Sequence, residues 1–115
     1  MTTVVEIVSA LDVQVAAGKV NLQREVTGGY ASDLLSCVMA GAKAGNVWVT
    51  LQAHLNVIAV AELLDLACVI ITEGMHPNEE TLAKAEEKGI PTLLTQESTF
   101  TIVGKLTQLG IRGSR

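Results

Sequence analysis

Ala67-Cys68-Val69-Ile70-Ile71-Thr72 is the stretch that decides the fold. Its apolar residues run without a polar partner at every second position. A strand of this kind is buried on both faces, as in a parallel sheet covered by helices. Reading outward, strand and helix alternate in both directions. Upstream, Val47-Trp48-Val49-Thr50-Leu51 forms a strand and residues 56–66 a helix. Downstream, Glu73-Gly74-Met75-His76-Pro77 is a loop, and Asn78 caps a helix through Lys88. Glu79 and Glu80 occupy its first turn, where the helix dipole favours negative charge. Gly89 ends that helix and residues 91–95 form the next strand. Ser98 or Thr99 opens a last helix ending at Gly110, with Phe100, Val103, Leu106 and Leu109 as its inward stripe. Strands separated by such helices are βαβ units, which require parallel pairing and right-handed crossovers.

Toward the start of the chain, Val4, Ile7, Val8 and Leu11 have helical spacing. Residues 12–16 and 20–22 read as short strands joined by a hairpin-like turn at Ala17-Gly18-Lys19, with residues 24–27 extending the second. Ser32 or Asp33 caps a helix to Ala44, with Leu34, Leu35, Val38 and Ala42 facing inward and Gly45-Asn46 as its stop. The expected fold is an α/β, three-layer α/β/α sandwich in one domain over residues 1–115. Its sheet of about five strands is mainly parallel, and mixed where the hairpin forms. Residues 112–115 are expected to fray.

Composition narrows the function classes. Apolar residues make up 49% of the 115-residue chain and aromatics only 3%, so the core is built from Val, Ile, Leu and Ala. A net charge of −4 with scattered Lys and Arg excludes a nucleic-acid surface, which needs clustered cations. Cys37 and Cys68 both lie in apolar surroundings and read as buried free thiols of a reducing compartment. With His54 and His76 they make no zinc spacing, so neither a metal nor a cofactor is expected. No apolar run approaches the roughly 18 residues of a membrane span, and a cytoplasmic protein without a membrane partner is expected.

Between a β-branched stretch and a helical pattern lies Val26-Thr27-Gly28-Gly29-Tyr30-Ala31-Ser32-Asp33. Adjacent glycines permit positive φ or close backbone approach, as a tight turn or a ligand-facing loop requires. In open α/β sheets ligands bind beyond the carboxyl ends of the parallel strands. That rule selects Thr27, Gly28 and Gly29, then Thr50, Gln52 and His54, then Thr72, Glu73 and Gly74, then Thr95, Gln96, Ser98 and Thr99. Near helix N-termini these groups suit a small anionic or hydroxylated ligand. The same Ser and Thr residues equally serve local strand-end and cap bonding. Asp33 is a ligand acceptor or an N-cap. His54 is either a group that titrates and contacts ligand or a helix-entry side chain bonded to backbone. His76 reads as surface.

The phosphate loop Gly-x-x-x-x-Gly-Lys-Ser/Thr, the dinucleotide pattern Gly-x-Gly-x-x-Gly and the nucleophile elbow Gly-x-Ser-x-Gly are all absent. No catalytic residue is assigned, and a non-enzyme is expected. The alternative is a small enzyme acting on a phosphorylated or carboxylated metabolite. There His54 is the acid/base and Gly28-Gly29 hold the anion.

The run Glu25-Val26-Thr27-Gly28-Gly29-Tyr30-Ala31-Ser32-Asp33-Leu34-Leu35-Ser36, followed by Val47-Trp48-Val49-Thr50, Asn56-Val57-Ile58-Ala59-Val60-Ala61 and Ile70-Ile71-Thr72, resembles the DRTGG domain family. That family is named for an Asp-Arg-Thr-Gly-Gly run. Thr27, Gly28 and Gly29 match it, Glu25 keeps the charge of the Asp, and Val26 replaces the Arg. An arginine contacts an anion bidentately and valine does not. The resemblance implies a fold similar to the N-terminal domain of HPr kinase/phosphorylase, whose phosphate loop lies in a separate domain. It also implies a regulatory part, of the kind appended to phosphotransacetylases and CBS-domain pyrophosphatases or standing alone. In the CBS-containing relatives the nucleotide site is mainly in the CBS part. The expectation is therefore a stand-alone regulatory, ligand-sensing or interaction module of bacterial or archaeal metabolism. It would be a homodimer, because a small hydrophobic chain has apolar surface to cover, and its partner would be a small anionic ligand (a nucleotide among them) or a protein.

Overall fold

β4 (Cys68–Ile71) is the buried centre of the sheet, with every side chain inaccessible to solvent. The computed structural model describes residues 1–114 and places β3 (Asn46–Thr50) and β5 (Thr92–Leu94) on either side of it, both parallel. β2 (Gly28–Ala31) extends the sheet beyond β3, again in parallel, and β1 (Gln14–Ala17) closes the other edge antiparallel to β5. The order is β1-β5-β4-β3-β2, a mixed, mainly parallel five-stranded sheet.

Helices cover both faces. α1 (Val4–Ala10) and α5 (Thr99–Gln108) send Val4, Ile7, Ile102 and Leu106 into one core layer, where they share Val47, Val49, Ile70 and Leu93 of the sheet. α2 (Leu35–Gly41), α3 (Leu55–Leu63) and α4 (Glu79–Lys88) cover the other face, packing Val38, Val57, Ile58, Ala61 and Ala85 with Trp48, Val69, Ile71 and Leu94. Alternate residues of β3 and β4 therefore serve opposite layers, which is why β4 is apolar throughout and β3 is apolar between Asn46 and Thr50. The result is the three-layer α/β/α sandwich.

Several local expectations are corrected. No hairpin joins the first two strands. The stretch read as a second strand is a 3-10 turn, Lys19–Asn21, with Val20 76% exposed. Its polar groups dock on the end of α4: the Gly18 N–H donates to Glu86 Oε1 at 2.9 Å, and the Asn21 side chain donates to the Gly89 carbonyl. Of residues 24–27, only Glu25 makes a bridge, to Thr3. α2 ends at Gly41, three residues before the expected Ala44, and α3 ends at Leu63. Neither Ser32 nor Asp33 caps α2: Leu34 is the cap residue, and the Ser32 hydroxyl accepts from the Leu34 N–H in a local turn. Leu34 and Phe100, expected inside, are 61% and 89% exposed. Ile102 takes the inward place that Phe100 was expected to fill, with Val103, Leu106 and Leu109 keeping theirs. Cys68 is buried as expected, but Cys37 is exposed. Of the tail expected to fray, residues 112–114 lie along β2, and residue 115 falls outside the described residues.

Candidate functional site

Parallel register separates the selected residues into two groups at opposite ends of the sheet. Gly28 stands beside Asn46 at the start of β3, whereas Thr50 at the end of β3 stands beside Ile71. Thr27, Gly28 and Gly29 thus lie at the amino ends of the parallel strands. Asp33, Thr50, His54, Thr72, Glu73, Gly74, Thr95 and Ser98 lie at or just beyond the carboxyl ends.

At the carboxyl end the polar groups are engaged with one another. The Thr50 hydroxyl and the Leu51 N–H each donate to Asp33 Oδ1 at 2.8 Å, tying the β2–α2 connection to the end of β3. The Thr72 and Thr99 hydroxyls are 2.6 Å apart, and the Thr99 N–H donates to the Glu73 carboxylate at 2.9 Å. A carboxylate of the chain itself therefore occupies the start of α5, where the helix dipole and free N–H groups would otherwise attract an external anion. Glu73 adopts a positive φ of 63° to reach it. The Glu97 N–H donates to the Thr95 hydroxyl, the Gly74 N–H to the Thr95 carbonyl, and Ser98 caps α5 through the Thr101 N–H. Lys105 at this end is paired with both carboxylate oxygens of Glu97 at 2.9 Å. His54 caps α3: its Nδ1 accepts from the Asn56 N–H at 3.1 Å, the helix-entry role that was one of its two readings. A cleft of about 240 Å³ opens nearby, lined by Asp12, Gln14, Gly74, His76, Thr95 and Gln96 among others.

The amino end is organised differently. Gly28 and Gly29 belong to β2 and neither has positive φ, so the double glycine is not the expected turn. Glycine inside a strand marks close approach by other backbone. Here the approaching backbone is the segment after α5. Thr27 donates its hydroxyl to the Ala44 carbonyl at 2.8 Å. The buried Asn46 side chain accepts from the Lys43 N–H and donates to the hydroxyls of Thr27 and Ser114. A cleft of about 490 Å³ is lined there by Thr2, Val26, Thr27, Gly28, Arg112 and Ser114 among others. Arg112 is the one charged side chain in that lining among the described residues. Val26 turns into the core layer with Val4 and Ile7, which accounts for an apolar residue at the position of the motif arginine.

Asn46, Arg112 and Ser114 were not selected from sequence. Asn46 carried no signal beyond helix termination, and the polar segment 112–114 gave no sign of its remote partner. No group of His, Cys, Asp and Glu among the described residues could hold a metal ion, and no described helix is long and apolar enough to cross a membrane.

A family model described as the DRTGG domain matches residues 6–109. The fold is similar to the crystal structure of the CBS and DRTGG domains of the regulatory region of Clostridium perfringens pyrophosphatase, complexed with its activator diadenosine tetraphosphate. The TM-score is 0.75 at 16% identity, over 93% of this chain and 46% of that one. At that identity the likeness is one of fold, and this chain spans less than half the length of its neighbour.

Proposed function

The chain belongs to the DRTGG domain family, and on that premise we propose that it is a regulatory module that binds a small anionic ligand, a nucleotide among the candidates, in the cleft beside Thr27 and Gly28. The observation that carries this reading is the electrostatic contrast between the two ends of the sheet. The cleft at the amino end is roughly twice the volume of the one at the carboxyl end, about 490 against 240 Å³. It falls within the range of about 300–1,000 Å³ usual for small-molecule sites. Among the described residues its lining offers an arginine and hydroxyls and no acidic side chain, whereas Asp33, Glu73 and Glu97 crowd the other end. An anion is repelled where carboxylates gather and attracted by a guanidinium. Arg112 would supply the charge that Val26 does not.

The regulatory character of the similar pyrophosphatase region, and its complex with a nucleotide activator, support this reading in kind without identifying a ligand. A non-catalytic role is part of the proposal. The lone pair of His54 Nδ1, which the enzyme alternative would use as a base, is engaged in capping α3.

A thermal-shift panel of pyrophosphate, nucleotides, phosphorylated sugars and carboxylates tests the proposal. An anion at about 100-fold over its dissociation constant adds roughly 2.7 kcal/mol of stability. For a domain of this size that is a rise of several degrees. A panel in which no anion raises the midpoint would sink the small-ligand reading and leave a protein partner as the occupant to seek.

A further inference from the structure

Gly28 and Gly29 are extended, so what their missing side chains provide is room. A Cβ on Gly28 would overlap the Ser114 hydroxyl oxygen and lie 2.8 Å from the Arg112 carbonyl oxygen. The Gly29 N–H donates to that carbonyl at 2.9 Å, and Gly29 forms an isolated parallel bridge with Gly113. The buried Asn46 side chain completes the contact with a 3.0 Å hydrogen bond to the Ser114 hydroxyl. Just upstream, Ile111 is anchored in the core layer, whereas Arg112, Gly113 and Ser114 are exposed.

We propose that the double glycine is the seat of a releasable strap, residues 112–114, and that docking and release of this strap gate the anion cleft. The backbone bridge at Gly29, which includes its bond to the Arg112 carbonyl, and the Asn46–Ser114 hydrogen bond hold the strap, and each such bond has a small net strength because water replaces it. Exposed backbone pairs of this kind open locally while the rest of a fold stays intact. Docked, the strap brings Arg112 to the wall of the cleft. Released, it removes that charge and uncovers the outer edge of β2. An anion that uses Arg112 favours the docked form, and by thermodynamic reciprocity the docked form favours the anion. The gating clause rests on the anion reading above, whereas the seat itself rests on the strap geometry alone.

Amide hydrogen exchange at Gly29, followed by NMR on the whole chain, reads the strap directly. In Gly28→Ala, exchange at Gly29 is expected to quicken tenfold or more. In Ser114→Ala, which removes a bond without adding bulk, it quickens a few-fold, with the core amide of Val69 unchanged in both. Pyrophosphate, added as the probe, is expected to slow Gly29 exchange in the unsubstituted chain. Gly29 exchange as slow in both variants as in the unsubstituted chain would overturn the seat. Calorimetric binding of pyrophosphate that leaves Gly29 exchange untouched would overturn the gating. If pyrophosphate and the nucleotides show no binding at all, the anion reading and the gate that depends on it both fail. The seat is then still decided by the two variants.

Discussion

Gly18 shows how a single residue can be fixed by its surroundings. Its φ is 78°, and a Cβ there would overlap the Ile90 carbonyl and the Pro91 nitrogen, which are backbone atoms with nowhere to go. Left-handed backbone costs a side-chain-bearing residue about 1–2 kcal/mol, and overpacking adds about 1–3 kcal/mol. Gly18→Ala is therefore expected to lower stability by about 2–5 kcal/mol in urea unfolding. A loss under about 0.5 kcal/mol would mean that the turn at the end of α4 relaxes freely. The two cysteines give a second residue-scale test. Burial pushes the Cys68 thiol from 9.0 up to about 12, against a smaller opposing influence of the Arg24 charge, while Cys37 is exposed. A thiol held neutral in the folded state stabilises it fully below about pH 9, and that contribution is lost as pH rises from there through about 12. At pH 8, iodoacetamide should label Cys37 in the folded protein and both thiols after unfolding. Rapid labelling of Cys68 without unfolding would contradict the burial of β4.

At the scale of elements, Asp33 links the β2–α2 connection to the end of β3 through the Thr50 hydroxyl and the Leu51 N–H. Asp33→Ala strands both donors and is expected to cost about 1–3 kcal/mol. Denaturant unfolding followed by the fluorescence of Trp48, whose indole N–H donates to the Ser32 carbonyl in the same connection, measures it. The elements that rest on local signals were legible in sequence: β4 by its unbroken apolar run, and α4 by the Asn78 cap, the acidic first turn and Gly89. The elements that rest on distant partners were not. β1 pairs with β5, more than seventy residues away, and the expected local hairpin competed with a pairing that no turn residue announces. Phe100 fits the period of α5 yet lies outside, because a stripe read with a three-residue step fits more than one face of a single short helix.

For the whole molecule, the topology decides where the candidate site can be. Eight of the eleven ligand candidates lie together at the carboxyl ends of the parallel strands, an end where hydroxyls and carboxylates satisfy one another. The three motif residues, Thr27, Gly28 and Gly29, fall at the other end because β2 begins, rather than ends, at the glycines. The expectation put these three at the carboxyl edge, and the structure puts them at the amino edge, since strand boundaries at glycine carry little local signal. Arg112 joins them only through the path of the chain after α5. The most direct test is a calorimetric titration of the strongest-binding anion against the unsubstituted chain, Arg112→Gln and Gln96→Ala. If the cleft beside Thr27 and Gly28 is the site, Arg112→Gln weakens binding about tenfold or more, the equivalent of about 1.4 kcal/mol, and Gln96→Ala leaves it unchanged. Binding that survives Arg112→Gln and is lost in Gln96→Ala would move the site to the carboxyl end and contradict the account.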